Sequence, residues 1–348
     1  MKPYLVLLGL LINITSFGKI WIVDSNVGST TKDFTTLKTA HDGAAAGDTL
    51  YMIGSPKDYI TDKVTFTKKL IVIGPGYFLN ENPDTQSSIL TAFIDSNVPL
   101  QCEELIFAVG SEGSAIMGLA INGRIQVNTN NILIKRNLIS QKGGCGSTSL
   151  VISGSNVLIV QNYILGVTIN ASEYVITVNP GFTNVIINNN YMSHNCNTCG
   201  STILAINASG SSMEISNNVI NGGISVTNAL IQNNVFTSNN TFSATTSIIQ
   251  NNIHLTNQLP GGNGNLNSVP IASIFTLTGS TDGQWSLKSG STALGAGFGG
   301  TDCGMFGGVE PYVLSGIPPV PSIYSIVAPL VGDKVNGLPV QIKVKSRN

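Results

Sequence analysis

One nine-residue pattern returns six times between residues 131 and 254. The copies are NILIKRNLI (131–139), NVLIVQNYI (156–164), NVIINNNYM (184–192), SMEISNNVI (212–220), NALIQNNVF (228–236) and TSIIQNNIH (246–254). They share an apolar–x–Ile–x–polar–Asn–apolar–apolar pattern. The common residues are Asn137, Asn162, Asn190, Asn218, Asn234 and Asn252, at steps of 25, 28, 28, 16 and 18 residues. A period of about 20–30 residues with a short strand in each repeat means a solenoid. The runs alternate with period 2, which excludes helical repeats, and they lack the regular Leu of leucine-rich repeats. Further strand-like runs lie between the copies: SLVISG (149–154), YVITVN (174–179), TILAIN (202–207) and GISVTN (223–228). Two or three short strands per turn, parted by Asn, Gly and Ser, predict an all-β parallel β-helix.

The fold gives the Asn residues a task. Each coil needs a sharp corner after a strand, and Asn tolerates the left-handed backbone such a corner requires. Stacked at one place in successive coils, amides can also bond along the stack as a ladder. An Asn-Asn pair then fits one residue in the ladder and one at the corner. A row of amides binding sugar hydroxyls is the functional alternative.

Composition narrows the class. Charged residues are 10% and the formal net charge is −1, so no basic face for nucleic acid is evident. Recurrent Val and Ile argue against disorder. The start, MKPYLVLLGLLINITSFGK, places Lys2 before an apolar run from Leu5 to Ile14, then small residues. It reads as a signal peptide over residues 1–18, which predicts export to an extracellular or cell-surface location without a later membrane span. Export makes disulfides available to the five Cys.

A solenoid exposes its core at both ends and needs caps. Phe34, Leu37, Ala40, His41 and Ala44 share one helical face, and Gly47 ends the run, so a short capping helix is expected. Here FTTLKTAHDGAAAGDTLY (34–51), then YI (59–60) and KKLIVIGPG (68–76), resemble the opening of right-handed parallel β-helix proteins of the pectin-lyase-like superfamily. STALGAGFGGTDCGMFGG (291–308) resembles the segment that closes such helices in secreted bacterial members of Bacteroidetes type. The resemblance spans about 19–308 and implies the right-handed fold. It leaves function open, because this superfold carries lyases, hydrolases, adhesins and inert fibres. Residues 309–348 are Pro-rich, then strand-like, and are expected as a separate tail packed on the last turn or as a docking segment.

Lyases and hydrolases of this superfamily need several carboxylates, as Ca²⁺ ligands or as an acid/base pair. From Gly113 to Thr281 only Glu173 and Glu214 are acidic. Twelve acids, from Asp24 to Glu112, share the N-terminal region with seven Lys, from Lys19 to Lys69, which reads as a solvated cap. Asp48 after Gly47 reads as turn chemistry. SHNCNTCGS (193–201) brings His194, Cys196 and Cys199 together, and Cys145 sits at a similar offset from its own repeat Asn. A disulfide from Cys145 to Cys196 or Cys199, free thiols, or a Zn²⁺ site of Cys145, His194, Cys196 and Cys199 are the alternatives. Cys102 and Cys303 read as buried small residues, and His254 as a surface residue. Tyr163, Tyr191 and Phe236 read as an aromatic row inside the core, and Trp21 and Trp285 as covers for the two ends.

The sequence therefore predicts an exported, non-catalytic β-helix without a cofactor, structural or in contact with cell-surface or extracellular polysaccharide. The alternative is a polysaccharide lyase or glycoside hydrolase whose acids come from FIDSNVPLQCEELIF (93–107).

Overall fold

The computed structural model describes residues 18–61, 63–96, 103–140, 148–167, 174–195 and 203–347. The chain winds repeatedly through three sheets. The first has ten strands, from Ile20–Val23 to Ile248–Gln250; the second has nine, from Tyr59–Thr61 to Ile253–His254; the third has eight, from Val64–Phe66 to Phe242–Thr245. All pairs within these sheets are parallel, and each strand pairs with its equivalents one coil before and after, as in Val157↔Val185↔Met213. Parallel strands joined by crossovers wind right-handed. The molecule is a right-handed parallel β-helix.

Alternation decides what enters the coil. Ile134, Ile159, Ile187, Ile215 and Ile231 form one buried inward column, and Ile139, Ile164, Met192, Ile220 and Phe236 form another. Burying each such side chain contributes about 2–3 kcal/mol, an upper figure because the unfolded chain is not fully extended. β-Branched residues suit these pleated stacks, which explains the Ile-rich repeats.

The N-terminal end is closed by an α-helix, Leu37–Gly43, with Leu37, Ala40 and His41 buried. Thr36 caps it, its Oγ1 accepting from the Thr39 backbone N–H at 3.1 Å. Phe34 lies outside the helix and packs on Trp21, ring centroids 5.2 Å apart. Asp48 accepts hydrogen bonds from the N–H of Lys19 and Ala45 and from Trp21 Nε1, so it ties the first strand to the turn at Gly47.

After the last coil the chain does not stop there. Residues 293–320 run back along the outside of the stack, forming a strap from the C-terminal coils to the N-terminal ones. Gly316 (φ 54°) ends the run where a Cβ would lie 2.2 Å from the Tyr77 ring, so only glycine fits. The expected docking of 309–348 on the last turn is therefore wrong. Glu310 and Pro311 carbonyls meet Gln161, Ile317 meets Arg136, and Ser315 donates to the Phe78 carbonyl. Beyond the strap, Ser322–Val327 and Gln341–Lys345 form an antiparallel hairpin.

Three other expectations change. His254 is buried, because it occupies the inward column directly beyond Phe236, stacked at 5.5 Å. Tyr163 and Tyr191 follow the repeat Asn by one residue and Phe236 by two, so they point to opposite sides of the second sheet; only Phe236 enters the coil. Trp285 covers no end of the stack: it lies on Tyr191, centroids 4.7 Å apart, on the outer face of the second sheet.

Candidate functional site

At each corner between the first and second sheets two adjacent residues diverge. Arg136, Gln161, Asn189, Asn217, Asn233 and Asn251 have φ between 52° and 59°, the left-handed conformation that turns the chain. The next residue is the repeat Asn, fully buried in all six coils. Those six amides stand in one column. Asn137 Nδ2 donates to Asn162 Oδ1 at 3.1 Å, Asn162 to Asn190 at 3.0 Å, Asn190 to Asn218 at 3.0 Å, Asn218 to Asn234 at 2.9 Å and Asn234 to Asn252 at 2.9 Å. From Asn162 onward each Oδ1 also accepts the backbone N–H of the preceding Asn, as from Asn162 N to Asn190 at 2.8 Å, while Asn137 Oδ1 accepts from the Leu119 N–H at 3.2 Å. Each Nδ2 also reaches a carbonyl of the preceding coil, as from Asn190 to Ile159 at 2.8 Å. Every donor and acceptor in this buried column is thus used, as burial of amides demands. Asn265 adds a last acceptor to the column by receiving the Asn252 N–H at 3.0 Å. A second, exposed series lies at the opening residue of the repeats, where Asn156 donates to Asn131 and Asn184 to Asn156. No group along the buried column reaches solvent, so it is architecture and not a binding row.

The corner residues face outward and hold the strap. Arg136 Nη1 donates to the Ile317 carbonyl at 2.9 Å, Gln161 to Pro311, Asn189 to Met305 and Gly307, Asn217 to Asp302, and Asn251 to Ala296. Asn233 Oδ1 accepts from the Phe298 N–H at 2.7 Å. Corner numbers rise as strap numbers fall, so the strap is antiparallel to the stacking direction, gripped once per coil. Burial among neutral carbonyls pulls the Arg136 pKa down.

The outer face of the second sheet lies beside the strap. Tyr163 and Tyr191 stack at 4.4 Å, and Trp285 continues the stack. Burial raises both tyrosine pKa values. Buried Asp282 ties this cover together, accepting from Asn82 Nδ2, Ser280 Oγ, the Tyr312 hydroxyl and the Ser315 N–H. Its bonds to Asn82 in the 76–92 loop and to Tyr312 and Ser315 in the strap join the two segments, which makes it a staple. Cys303 is buried in the same cover, and burial pushes its thiol up to about 12, so it is inert as a nucleophile.

The third sheet presents a different outer face. Gln126, Val151, Thr177, Asn207, Ser225 and Ser243 are strand partners in succession and form one outward column. All are half-buried and none is charged. Alongside, Gln126 Nε2 donates to Asn128 Oδ1 at 3.0 Å and Asn179 Nδ2 to Ser153 Oγ at 2.8 Å. The strap contacts given above all fall on the other side of the coil. Where the second sheet passes into the third, Asn122 Nδ2 donates to Asp95 Oδ1 at 3.1 Å, and Arg124 donates to the Thr148 carbonyl. Arg124 is also the strand partner of Glu103. The 93–107 segment thus pairs Asp95 with Asn122 in the second sheet and Glu103 with Arg124 in the third. Among the described residues, no three His, Cys, Asp or Glu side chains group as metal ligands.

Cys102, Cys145, Cys196 and Cys199, and the signal segment up to residue 17, lie outside the described residues. His194 lies within them, buried as the strand partner of Gly166, where a Cβ would meet its ring at 2.9 Å. Desolvation lowers its pKa, which keeps the imidazole neutral.

No protein-family model and no curated protein matches the chain. Among solved structures it is similar to pectate lyase Pel9A, at 15% identity over 84% of this chain and 96% of that one, with a TM-score of 0.48. It is also similar to a rhamnogalacturonan lyase, at 12% identity over 68% of each chain, with a TM-score of 0.27.

Proposed function

We propose that the protein is an exported, non-catalytic β-helix that holds a neutral polysaccharide strand against the outer face of its third sheet. The observation that carries this reading is the uncharged column from Gln126 to Ser243. Amides and hydroxyls there offer both donors and acceptors, the complement of sugar hydroxyls. A chain of sugar rings lying along the stack meets a fresh set every ~4.8 Å, the spacing of paired strands. Val151 supplies an apolar contact for a ring face. The absence of charge along the column favours neutral over acidic glycans. Export rests on Lys2 followed by the Leu5–Ile14 run.

The test is affinity electrophoresis and calorimetry of the secreted chain against neutral and acidic polysaccharides, with product assays alongside. The expected result is retention by a neutral polysaccharide, lost in Thr177→Lys/Asn207→Lys, with no new reducing ends. Retention by none of the panel overturns the reading.

A lyase or hydrolase is the second reading, and the pairing of Glu103 with Arg124, with Asp95 on Asn122 two residues before that Arg, favours it. It requires chain cleavage, or a rise in unsaturated-uronide absorbance, that Arg124→Ala abolishes.

A further inference from the structure

We propose that the C-terminal hairpin is a homodimerisation element, whose apolar face packs on the same face of a second copy about a two-fold axis. The strand register sorts its side chains. Ile323 lies opposite Val344 and Ile326 opposite Ile342, while Ser322 lies opposite Lys345 and Ser325 opposite Lys343. Directly opposed residues share a face. Across a bulge at Tyr324, one face therefore carries the four apolar residues Ile323, Ile326, Ile342 and Val344, and the other carries serines, lysines and Val327 opposite Gln341. Leu338 and Val340 continue the apolar alternation into the second strand.

That apolar face is uncovered. Ile323 is 40% exposed, Ile326 53%, Ile342 54% and Val344 57%. The hairpin nevertheless has a fixed root and tip. The Ser87 N–H donates to the Ile323 carbonyl at 2.8 Å, and the Arg347 guanidinium reaches the Asp84 carbonyl. At the tip Asp333 accepts from the N–H groups of Val335 and Asn336. A two-stranded ribbon has no core of its own and is marginal in water. A presented ribbon with a clean apolar face needs a cover.

Charge and area select a second copy as that cover. The face bears no charge, so its complement must be apolar and uncharged, and the chain's own hairpin is such a surface. Lys343 and Lys345 lie on the reverse faces, so a two-fold contact opposes no lysines. An isologous interface requires that self-complementarity. Two ribbons face to face become a four-stranded sandwich with a shared core. The six apolar residues leave roughly 550 Å² open, so two copies face to face bury roughly 1,100 Å² in total, at the low end of specific interfaces and the size of a weak, reversible dimer.

The test is sedimentation velocity on the full secreted chain from about 1 to 100 μM, bracketing the micromolar affinity a small interface gives. A dimer is expected, with Ile342→Asp shifting its dissociation at least tenfold and Lys343→Asp leaving it unchanged. Both variants should keep the thermal midpoint of the β-helix. Under oxidation, Ile326→Cys should give cross-linked dimers above the native background, and Lys343→Cys should not. A monomer throughout the range, a dimer indifferent to Ile342→Asp, or open-ended growth with concentration would each overturn the proposal.

Discussion

The flank under the strap and the face of the third sheet are made of the same residue types and behave oppositely. Under the strap, Gln161, Asn189, Asn217 and Asn233 are buried, and the amide of each hydrogen-bonds a backbone group. On the third sheet, Gln126, Thr177, Asn207 and Ser225 are presented to solvent. Polar composition alone does not distinguish scaffold from contact surface. What distinguishes them is whether another part of the chain lies over the position. Polar side chains on the covered flank should therefore be costly to remove, and those on the open face cheap.

The sharpest test pairs Asn190→Ala with Thr177→Ala. The first strands the buried N–H groups of Asn162 that Asn190 Oδ1 accepts, and removes the donors to Ile159 and Asn218. It should cost about 4 kcal/mol in denaturant melts, whereas the second should stay within about 0.5 kcal/mol. Equal costs would break the comparison.

Acid should weaken the covered region next. Burial holds the His254 pKa down at about 4, from 6.5. Below pH 6.5 the unfolded chain takes up a proton that the folded chain refuses until about pH 4. Stability is thus flat above pH 6.5, falls as pH drops between those values, and levels below. The loss approaches about 3 kcal/mol, and His254→Phe should remove that part of the pH dependence.

Gly316→Ala should cost about 2 kcal/mol through its left-handed backbone and its contact with Tyr77. Limited proteolysis should then cut within the strap first, leaving the coil intact. The smallest stability change, about 0.5 kcal/mol or less, is expected for Thr177→Lys/Asn207→Lys, the pair whose loss of glycan retention tests the open face.

The coil was legible in the sequence because its Asn and Ile positions answer only to the coil itself. Asn162 and Asn190 need nothing beyond neighbouring repeats, so the same chemistry recurs at the same offset. The residue before each Asn answers to a distant segment: Gln161 meets Pro311, 150 residues away, and Arg136 meets Ile317, 181 away. Nothing local announces those partners. The aromatic residues went astray for another reason, since one residue of offset from the Asn reverses the side of the sheet. His254 obeys the same parity, two residues after Asn252 and opposite Phe236. The Asn131–Asn156–Asn184 series is visible in the opening letter of three repeats. Asn265 was hidden, because no repeat strand precedes it. Glu103 and Arg124 illustrate the limit for chemistry: acids can be counted in a sequence, but which coil pairs them with a base cannot.

The antiparallel strap works as a ruler. A solenoid can lengthen by duplicating a coil, since each new Asn finds an oxygen waiting in the next. Here an added coil would bring a corner with no matching carbonyl, and the strap would fall short of Tyr77. Growth in one half of the chain thus demands a compensating insertion in the other, which fixes the number of windings as firmly as any cap.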